Sequence, residues 1–583
     1  MDYAVIAKTY EALETTTKRL EMAQILASLL REAPPADVKK IIYLTRGKVA
    51  PDFEGVEFGL AERLVLKSIY EATRVPGLDE LQLNVGDLGD VAKYAVERKM
   101  QRSLFHETLT VDMVFSNLLK MAKVQGSGAQ YIRGNLLAAL IHDSTPIEAK
   151  YVCRTVVGKL RLGIADMTII DALASSYATK ENREDIERAY NVCSDLGLVA
   201  EKLAIGGIDA IASIKVTVGV PIRAMLCERL GSIREILDKL GTCAFEFKYD
   251  GLRVQAHISN GRVELFTRQL ENVTSQFPDV SGYISEAISN INGIVEGEIV
   301  PVEINTGELL PFQVVSRRRG RKHGINKASD EYPVRVFLFD CLMTGTRDLT
   351  NVPYPARRSE LKSILKSTEN VVIADQIVTS SEVDAERYFS LAINSGCEGV
   401  IAKSISNDSS YKAGSRGWLW IKYKSDYRTE MTDTVDLVVV GAFAGRGKRS
   451  GNYGALLMAA YNPTSSNFET VTKLGTGFDD ETIINLWNIL ETSKISNHSK
   501  RVVTRIAADY WFDPNLVLEV SGAEITLSPI HTCGLDSVRP GIGYAIRFPR
   551  FTKNFRWDKK PEDATTTNEI EAMFERQLKK VQK

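Results

Sequence analysis

The segment Glu246-Phe247-Lys248-Tyr249-Asp250-Gly251-Leu252-Arg253 puts a lysine beside two carboxylates, a glycine and an arginine. A lysine ammonium ordinarily holds its proton up to a pKa of about 10.4, so it serves as a nucleophile only where burial or neighbouring cations make the charged form costly. Gly251 would let backbone come close to a phosphate, and the Arg253 fork can grip an anion. Taken alone, the run is also what a strand-ending lysine paired with Asp250 would look like. The residues downstream add to it. Thr267-Arg268 brings a cation, Glu296-Gly297-Glu298 two carboxylates, and Phe337-Leu338-Phe339-Asp340 an aromatic strand. Glu398-Gly399-Val400-Ile401-Ala402-Lys403 and Trp418-Leu419-Trp420-Ile421-Lys422-Tyr423-Lys424 follow, each ending on lysines.

Lys248 to Arg253 resembles the K-x-D-G-x-R nucleotidyl-lysine motif of DNA ligases and RNA capping enzymes, and the segments just quoted are similar, in order, to that superfamily's remaining motifs. Two closing segments, Arg547-Phe548-Pro549-Arg550-Phe551 and Asp558-Lys559-Lys560-Pro561-Glu562-Asp563-Ala564-Thr565-Thr566, resemble the ending of ATP-dependent DNA ligases of the archaeal and eukaryotic replicative type. With the helical leader described below, the resemblance spans nearly the whole chain. RNA ligases and GTP-using capping enzymes share the lysine motif but lack this leader and this ending. An NAD-dependent ligase would bring a cysteine-rich zinc module that is absent here. A non-catalytic DNA-binding scaffold would not need the lysines and carboxylates that are all present.

The resemblance implies ATP and Mg²⁺ as cofactors and assigns roles by position. Lys248 would become linked to AMP. Glu246 would read the adenine edge, Phe339 would stack on the base, and Glu298 would accept from a ribose hydroxyl. Arg253 and Arg268 would hold ribose and phosphate oxygens, while Arg416 and Lys422 would contact phosphates. Glu398 is the metal candidate. Glu296 stands where the family usually has Asp. Such residue types suit phosphoryl-type transfer, which depends on in-line positioning and on cations at the equatorial oxygens. The implied reaction seals 5′-phosphate/3′-hydroxyl nicks in duplex DNA during replication, repair and recombination. Nicked double-stranded DNA is the implied partner, the chain is expected to act as a monomer, and a sliding clamp is a partner that the sequence leaves open.

Charge patterning agrees with a DNA partner. Lys+Arg 73 against Asp+Glu 74 leaves a net charge of −1, which excludes a uniformly basic nucleic-acid binder but not local patches. Arg317-Arg318-Arg319-Gly320-Arg321-Lys322 together with Lys327 places six cations in eleven residues with no acid. The run from Gly445 to Gly454 combines Arg446, Lys448 and Arg449 with backbone freedom, and Arg547 to Lys560 sets six cations against one acid. Such clusters suit phosphate contacts, which position a duplex without reading its sequence.

These residues need several elements to hold them. At 583 residues the chain exceeds one core. With 44% hydrophobic and 25% charged residues it has an ordinary globular composition. Apolar spacing at three and four residues through Leu20, Ile25, Leu26, Leu29 and Leu30, then Leu136 to Ile141, then Val156 to Ile164, predicts an all-α domain over residues 1–213, which the resemblance implies is the DNA-binding domain. Alternation through Val254, Ala256 and Ile258, the Asn260-Gly261 turn, and Val263, Leu265 and Thr267 opens an α+β domain over 214–428, which the resemblance implies is the adenylation domain. Strand candidates broken by Gly, Asn and Ser turns suit a small barrel over 429–583, which the resemblance implies is a C-terminal OB-fold domain. The seven cysteines are scattered, and no apolar run approaches the roughly 18–20 residues of a membrane helix. Together with an N-terminus unlike a secretory signal, this predicts an intracellular protein, cytoplasmic in a prokaryote.

Overall fold

The computed structural model describes residues 1–99, 107–288, 291–302, 309–310, 312–321, 323–424, 434–445, 452–522, 524–538, 540–547 and 549–581. The chain divides into two compact units, one comprising 1–230, 234–385 and 401–422, the other 231–233, 386–400 and 423–583.

The first unit begins with twelve α-helices between Tyr3 and Ile211, and no strand precedes Leu226 among the described residues. Helix Arg19–Glu32 buries Leu26, Leu29 and Leu30 and stops before Pro34, while Pro35 opens the next helix at its first position. One apolar series departs from the helical expectation. Helix Pro146–Val156 ends at Val157, and Leu160 and Leu162 are buried from an extended segment. Left-handed backbone at Gly158, Arg161 and Gly163 breaks the helical repeat there. At Gly206-Gly207 the helix Leu196–Ile211 continues through a kink at Gly207. Arg223 then fastens the connector to the helices, with its guanidinium 2.6 Å from the Tyr190 hydroxyl and its backbone N–H donating to Asn191 O.

Two sheets follow. The six-stranded sheet runs Arg262–Thr267, Leu252–Ser259, Gly293–Pro301, Val334–Thr344, Arg347–Asp348, with Val371–Ile373 also pairing to Val334–Thr344. Its Asn260-Gly261 turn has positive φ at both residues, the conformation a two-residue hairpin needs. Alternation gives the sheet two unlike faces. Leu252, Val254, Ala256, Ile258, Val295 and Ile299 pack with Val280 and Ile284 of helix Pro278–Ala287 to form one core. Arg253, Gln255 and His257, interleaved with those apolar residues, occupy the other face. The five-stranded sheet has the order Leu226–Arg229, Arg416–Lys424, Gly399–Ser404, Cys243–Lys248, Gln376–Thr379. Gly399 has φ +152°, and a Cβ there would collide with the Tyr423 carbonyl oxygen, so only glycine fits that crossing.

The second unit is built around strand Val435–Ala444. It pairs with Tyr453–Asn462 on one side and with Val517–Ser521 and then Tyr510–Phe512 on the other. The eight-stranded sheet curves into a half-barrel-like form, and Glu524–Ser528 with Gly543–Arg547 make a separate hairpin. Helix Asp480–Glu491 is capped by the Asp479 side chain, and its Leu486 and Leu490 enter the core.

Candidate active site

Lys248 is the last residue of strand Cys243–Lys248, half-buried. Gly251 follows three residues later. A Cβ on Gly251 would strike the Ile299 carbonyl oxygen and the Glu298 side chain, so here the glycine serves close packing of two strands. The next strand carries Arg253 directly across from Glu298, and Glu298 lies across from Phe337. Arginine, carboxylate and aromatic positions are therefore neighbours through the register of the six-stranded sheet, while Lys248 ends a strand of the five-stranded one.

The cations converge. Burial pushes the Cys227 thiol up, while the charges of Arg253, Lys403, Lys248 and Lys422 pull it down. Cys227, half-buried, pairs in register with Gly417 on the strand that also carries Lys422. Arg253 is fixed by Met225 O at 2.8 Å and by Glu296 at 2.9 Å. Burial alone would lower its pKa, but Glu296 and Tyr411 outweigh burial and raise it, so the guanidinium stays charged. Its Nε is buried with no hydrogen-bond acceptor. An orphaned buried donor costs about 1–3 kcal/mol, which an incoming ligand oxygen would recover.

Phe339 is half-buried. The Trp420 ring meets it edge-on at 6.3 Å, the Arg253 guanidinium lies 5.4 Å from its centroid, and Lys403 Nζ lies 4.7 Å away. Glu246 is buried and paired with Lys403 at 2.6 Å and Arg358 at 2.5 Å, and it also accepts from the Tyr354 hydroxyl. Lys422 is half-buried, and Arg268 and Arg416 are exposed at strand ends. Glu398 pairs with the Lys424 ammonium. Among the described residues no three His, Cys, Asp or Glu side chains gather as a metal cage.

Several residues essential to this arrangement escape a sequence reading. Glu296 accepts from Arg253 and, at 2.9 Å, from Tyr411, so its longer side chain has a defined use as the partner of Arg253. Gln255 and His257 extend the network to the connector. Gly219 N–H donates to His257 Nδ1 at 2.9 Å, leaving Nε2–H to donate to Gln255 Oε1 at 2.8 Å, and Ile222 N–H donates to the same oxygen. Burial holds His257 neutral, pushed down to about 3. Asp340 and Arg357 form a bidentate pair, both fully buried, next to Phe339. Glu296 and Asp340 stand in the quoted motifs and Gln255 and His257 alternate with apolar residues, but no local signal names their partners Arg253, Tyr411 and Arg357.

The cationic runs look different in three dimensions. Arg318 is 1% exposed, paired with Asp279 and lying 4.5 Å over the Phe277 ring. It is a core residue, so the expectation that the whole run contacts DNA is corrected at this position. Its neighbours Arg317 and Lys327 are exposed, and Arg319 pairs with Glu271. Lys322 and residues 446–451 lie outside the described residues. In the closing segment Lys553 pairs with Asp479, Arg556 with Asp436 and Asp558, and Lys559 with Asp436.

Comparison with known proteins adds an independent line. Three family descriptions match in chain order: DNA ligase N terminus at residues 2–174, ATP dependent DNA ligase domain at 224–424, and ATP dependent DNA ligase C terminal region at 449–559. The chain is 49% identical to the DNA ligase of Caldivirga maquilingensis, covering 99% of this chain and 98% of that protein. It is 43% identical to the DNA ligase of Thermoplasma volcanium, covering 99% of each. A solved structure named Pmar-Lig_Pre shares the fold, with a TM-score of 0.54 at 17% identity over 95% of this chain and 99% of that one.

Proposed function

The chain belongs to the ATP-dependent DNA ligases, and from that premise we propose that Lys248 is the residue that carries AMP. The family's reaction seals nicks in duplex DNA. In the first step the Lys248 amine attacks the α-phosphorus of ATP. An N–P bond forms, the bond to the β-phosphate oxygen breaks, and pyrophosphate leaves. A 5′-phosphate oxygen at the nick then attacks the same phosphorus and frees the lysine. Finally the 3′-hydroxyl attacks the activated 5′-phosphate and AMP departs.

The observation that carries this reading is the pair of cations over the half-buried Phe339, Arg253 at 5.4 Å and Lys403 at 4.7 Å, with Lys403 on the strand that neighbours the one ending in Lys248. Cations so placed would meet charge developing on phosphate oxygens. Arg253, with its unsatisfied Nε, would hold a ribose or phosphate oxygen, and Glu298 across the register would accept from a ribose hydroxyl. Arg268, Arg416 and Lys422 would complete the phosphate contacts. Mg²⁺ prefers one or two carboxylates with waters and phosphate oxygens, and it would neutralise charge on the phosphates when bound. Glu398, here paired with Lys424, is the carboxylate that would serve this use.

We read the chain as three domains, 1–213, 214–428 and 429–583, acting as a cytoplasmic monomer on nicked DNA. No helix among the described residues is long and apolar enough to cross a membrane. Incubating the protein and a nicked duplex with ATP, NAD⁺ or neither tests the reading, since sealing should follow ATP alone.

Phe339→Ala should raise the Michaelis constant for ATP in adduct formation, because a base–aromatic stack is worth about 1–3 kcal/mol. Half-buried against Trp420, the ring contributes less to stability than a full core residue. A variant that binds ATP normally but loses about 3–5 kcal/mol of stability would make Phe339 plain core.

A further inference from the structure

Glu246 is 2% exposed, yet its carboxylate is surrounded by donors from three separate elements. Oε1 accepts from Arg358 Nη1 at 2.5 Å, from the Tyr354 hydroxyl and from Gln376 Nε2 at 3.4 Å. Oε2 pairs with Lys403 Nζ at 2.6 Å. Tyr354 and Arg358 sit one turn apart on helix Tyr354–Ile364, so they reach the same carboxylate from one helix face. Gln376 Nε2 donates to the Tyr354 oxygen at 2.6 Å, which leaves the tyrosine proton for Glu246. Arg358 is held in turn by Ala374 O at 2.5 Å.

The same helix also grips the aromatic strand. Arg357, next in sequence to Arg358, makes its bidentate pair with Asp340 at 2.8 and 2.9 Å, with both side chains 0% exposed. Asp340 follows Phe339 directly. Lys403 closes the circuit, since its Nζ contacts Glu246 and lies 3.4 Å from the Phe339 carbonyl oxygen. Consecutive arginines of one helix therefore fix the carboxylate and the ring that would meet a base.

Both oxygens of Glu246 face donors, three on Oε1 and the Lys403 ammonium on Oε2, so the side chain is built into the site as an acceptor. Oε2, which meets only Lys403, is the oxygen with acceptor capacity to spare, and it suits the 6-amino group of adenine. The 6-oxo group of guanine would set an acceptor against an anion, and sites built to bond one partner reject the analogue that leaves it unpaired. We propose that helix Tyr354–Ile364 sets base selectivity through Arg358 and Tyr354, positioning residues that hold Glu246 as a fixed acceptor for adenine. This rests on the reading of Glu246 and Phe339 as base contacts given above.

The test measures kcat/KM for lysyl-nucleotide adduct formation with ATP and with GTP, in the full-length chain. The wild type should prefer ATP by at least about 10²-fold, and Glu246→Gln should lose most of that preference. Arg358→Gln should reduce the ATP:GTP ratio by about tenfold or more, and Arg358→Lys should keep more of it. The double variant Glu246→Gln/Arg358→Gln should fall no further than Glu246→Gln alone, because one residue acts through the other. Tyr354→Phe, which removes one oxygen, should lower the ratio even if Arg358→Gln does not fold. A wild-type ratio near one overturns the proposal. So do Arg358→Gln and Tyr354→Phe variants that keep the wild-type ratio while Glu246→Gln loses it; base reading by Glu246 then stands and the helix is only scaffold. If Glu246→Gln keeps the ratio, the base reading itself fails, and the proposal with it.

Discussion

Lys248→Ala and Lys248→Arg should each leave the protein without its AMP adduct, a loss on the order of 10⁴-fold or more, as expected when a nucleophile is removed. The arginine variant is the more telling. It keeps a cation at the end of strand Cys243–Lys248, among the charges of Arg253, Lys403 and Lys422, so ATP should still bind. A guanidinium cannot shed its proton at usable pH, so binding should persist without transfer. The final step takes its activation from AMP already on the DNA and makes no use of the lysine. Both variants should therefore still close a nick that carries AMP, at a rate within about tenfold of wild type if only the nucleophile is lost. The adduct is read as an AMP-sized mass increase, and nick closure on pre-adenylated duplex is read on a gel. An adduct of normal yield in either variant would remove Lys248 from the reaction.

Where function depends on contiguous residues, the sequence was legible. The lysine segment, the Asn260-Gly261 hairpin and the aromatic strand are each short runs whose residue types state their geometry, and each lies on the strand or turn expected of it. Pairings across the chain were hidden. Glu246 meets Arg358 112 residues away, and Glu296 meets Tyr411 115 residues away. Nothing local to either carboxylate announces such a partner, because the register of the sheets and the docking of one helix bring them together. Glu296 illustrates the difference: its departure from aspartate was visible, but its purpose appears only once Arg253 stands beside it. The segment after Val157 failed in another way. Apolar spacing at Leu160, Leu162 and Ile164 mimics a helix, while backbone conformation at Gly158, Arg161 and Gly163 forbids one. Hydrophobic period reports burial, and burial can be satisfied by extended chain.

The arginine run from Arg317 to Arg321 separates charge as composition from charge that meets a phosphate, and its members should respond to mutation in opposite ways. Arg318→Ala should cost about 3–5 kcal/mol, the penalty for breaking a buried ion pair and stranding its partner. Its guanidinium is 2.9 Å from Asp279 Oδ2 and 3.0 Å from the Ser329 hydroxyl, and it covers the Phe277 ring, so truncation opens a polar and apolar void together. The double variant with Asp279→Asn should lose less than the sum of the two single losses, because each alone leaves one charge uncompensated. Arg317 and Lys327 are exposed, and Arg317→Gln with Lys327→Gln should leave the denaturation midpoint unchanged. Nick affinity should instead fall, and its log–log salt dependence should flatten by up to about 0.9 for each phosphate that is no longer neutralised. Urea melts and salt titrations of binding to a nicked duplex distinguish the two classes. An unaltered midpoint in Arg318→Ala would return that residue to the surface, and an unaltered salt slope in the double variant would mean that Arg317 and Lys327 face only solvent. If both expectations hold, the DNA-facing charge on this segment is smaller than the six cations of the run suggest, because Arg318 instead ties Asp279 of helix Pro278–Ala287 to Ser329 and the Tyr332 carbonyl.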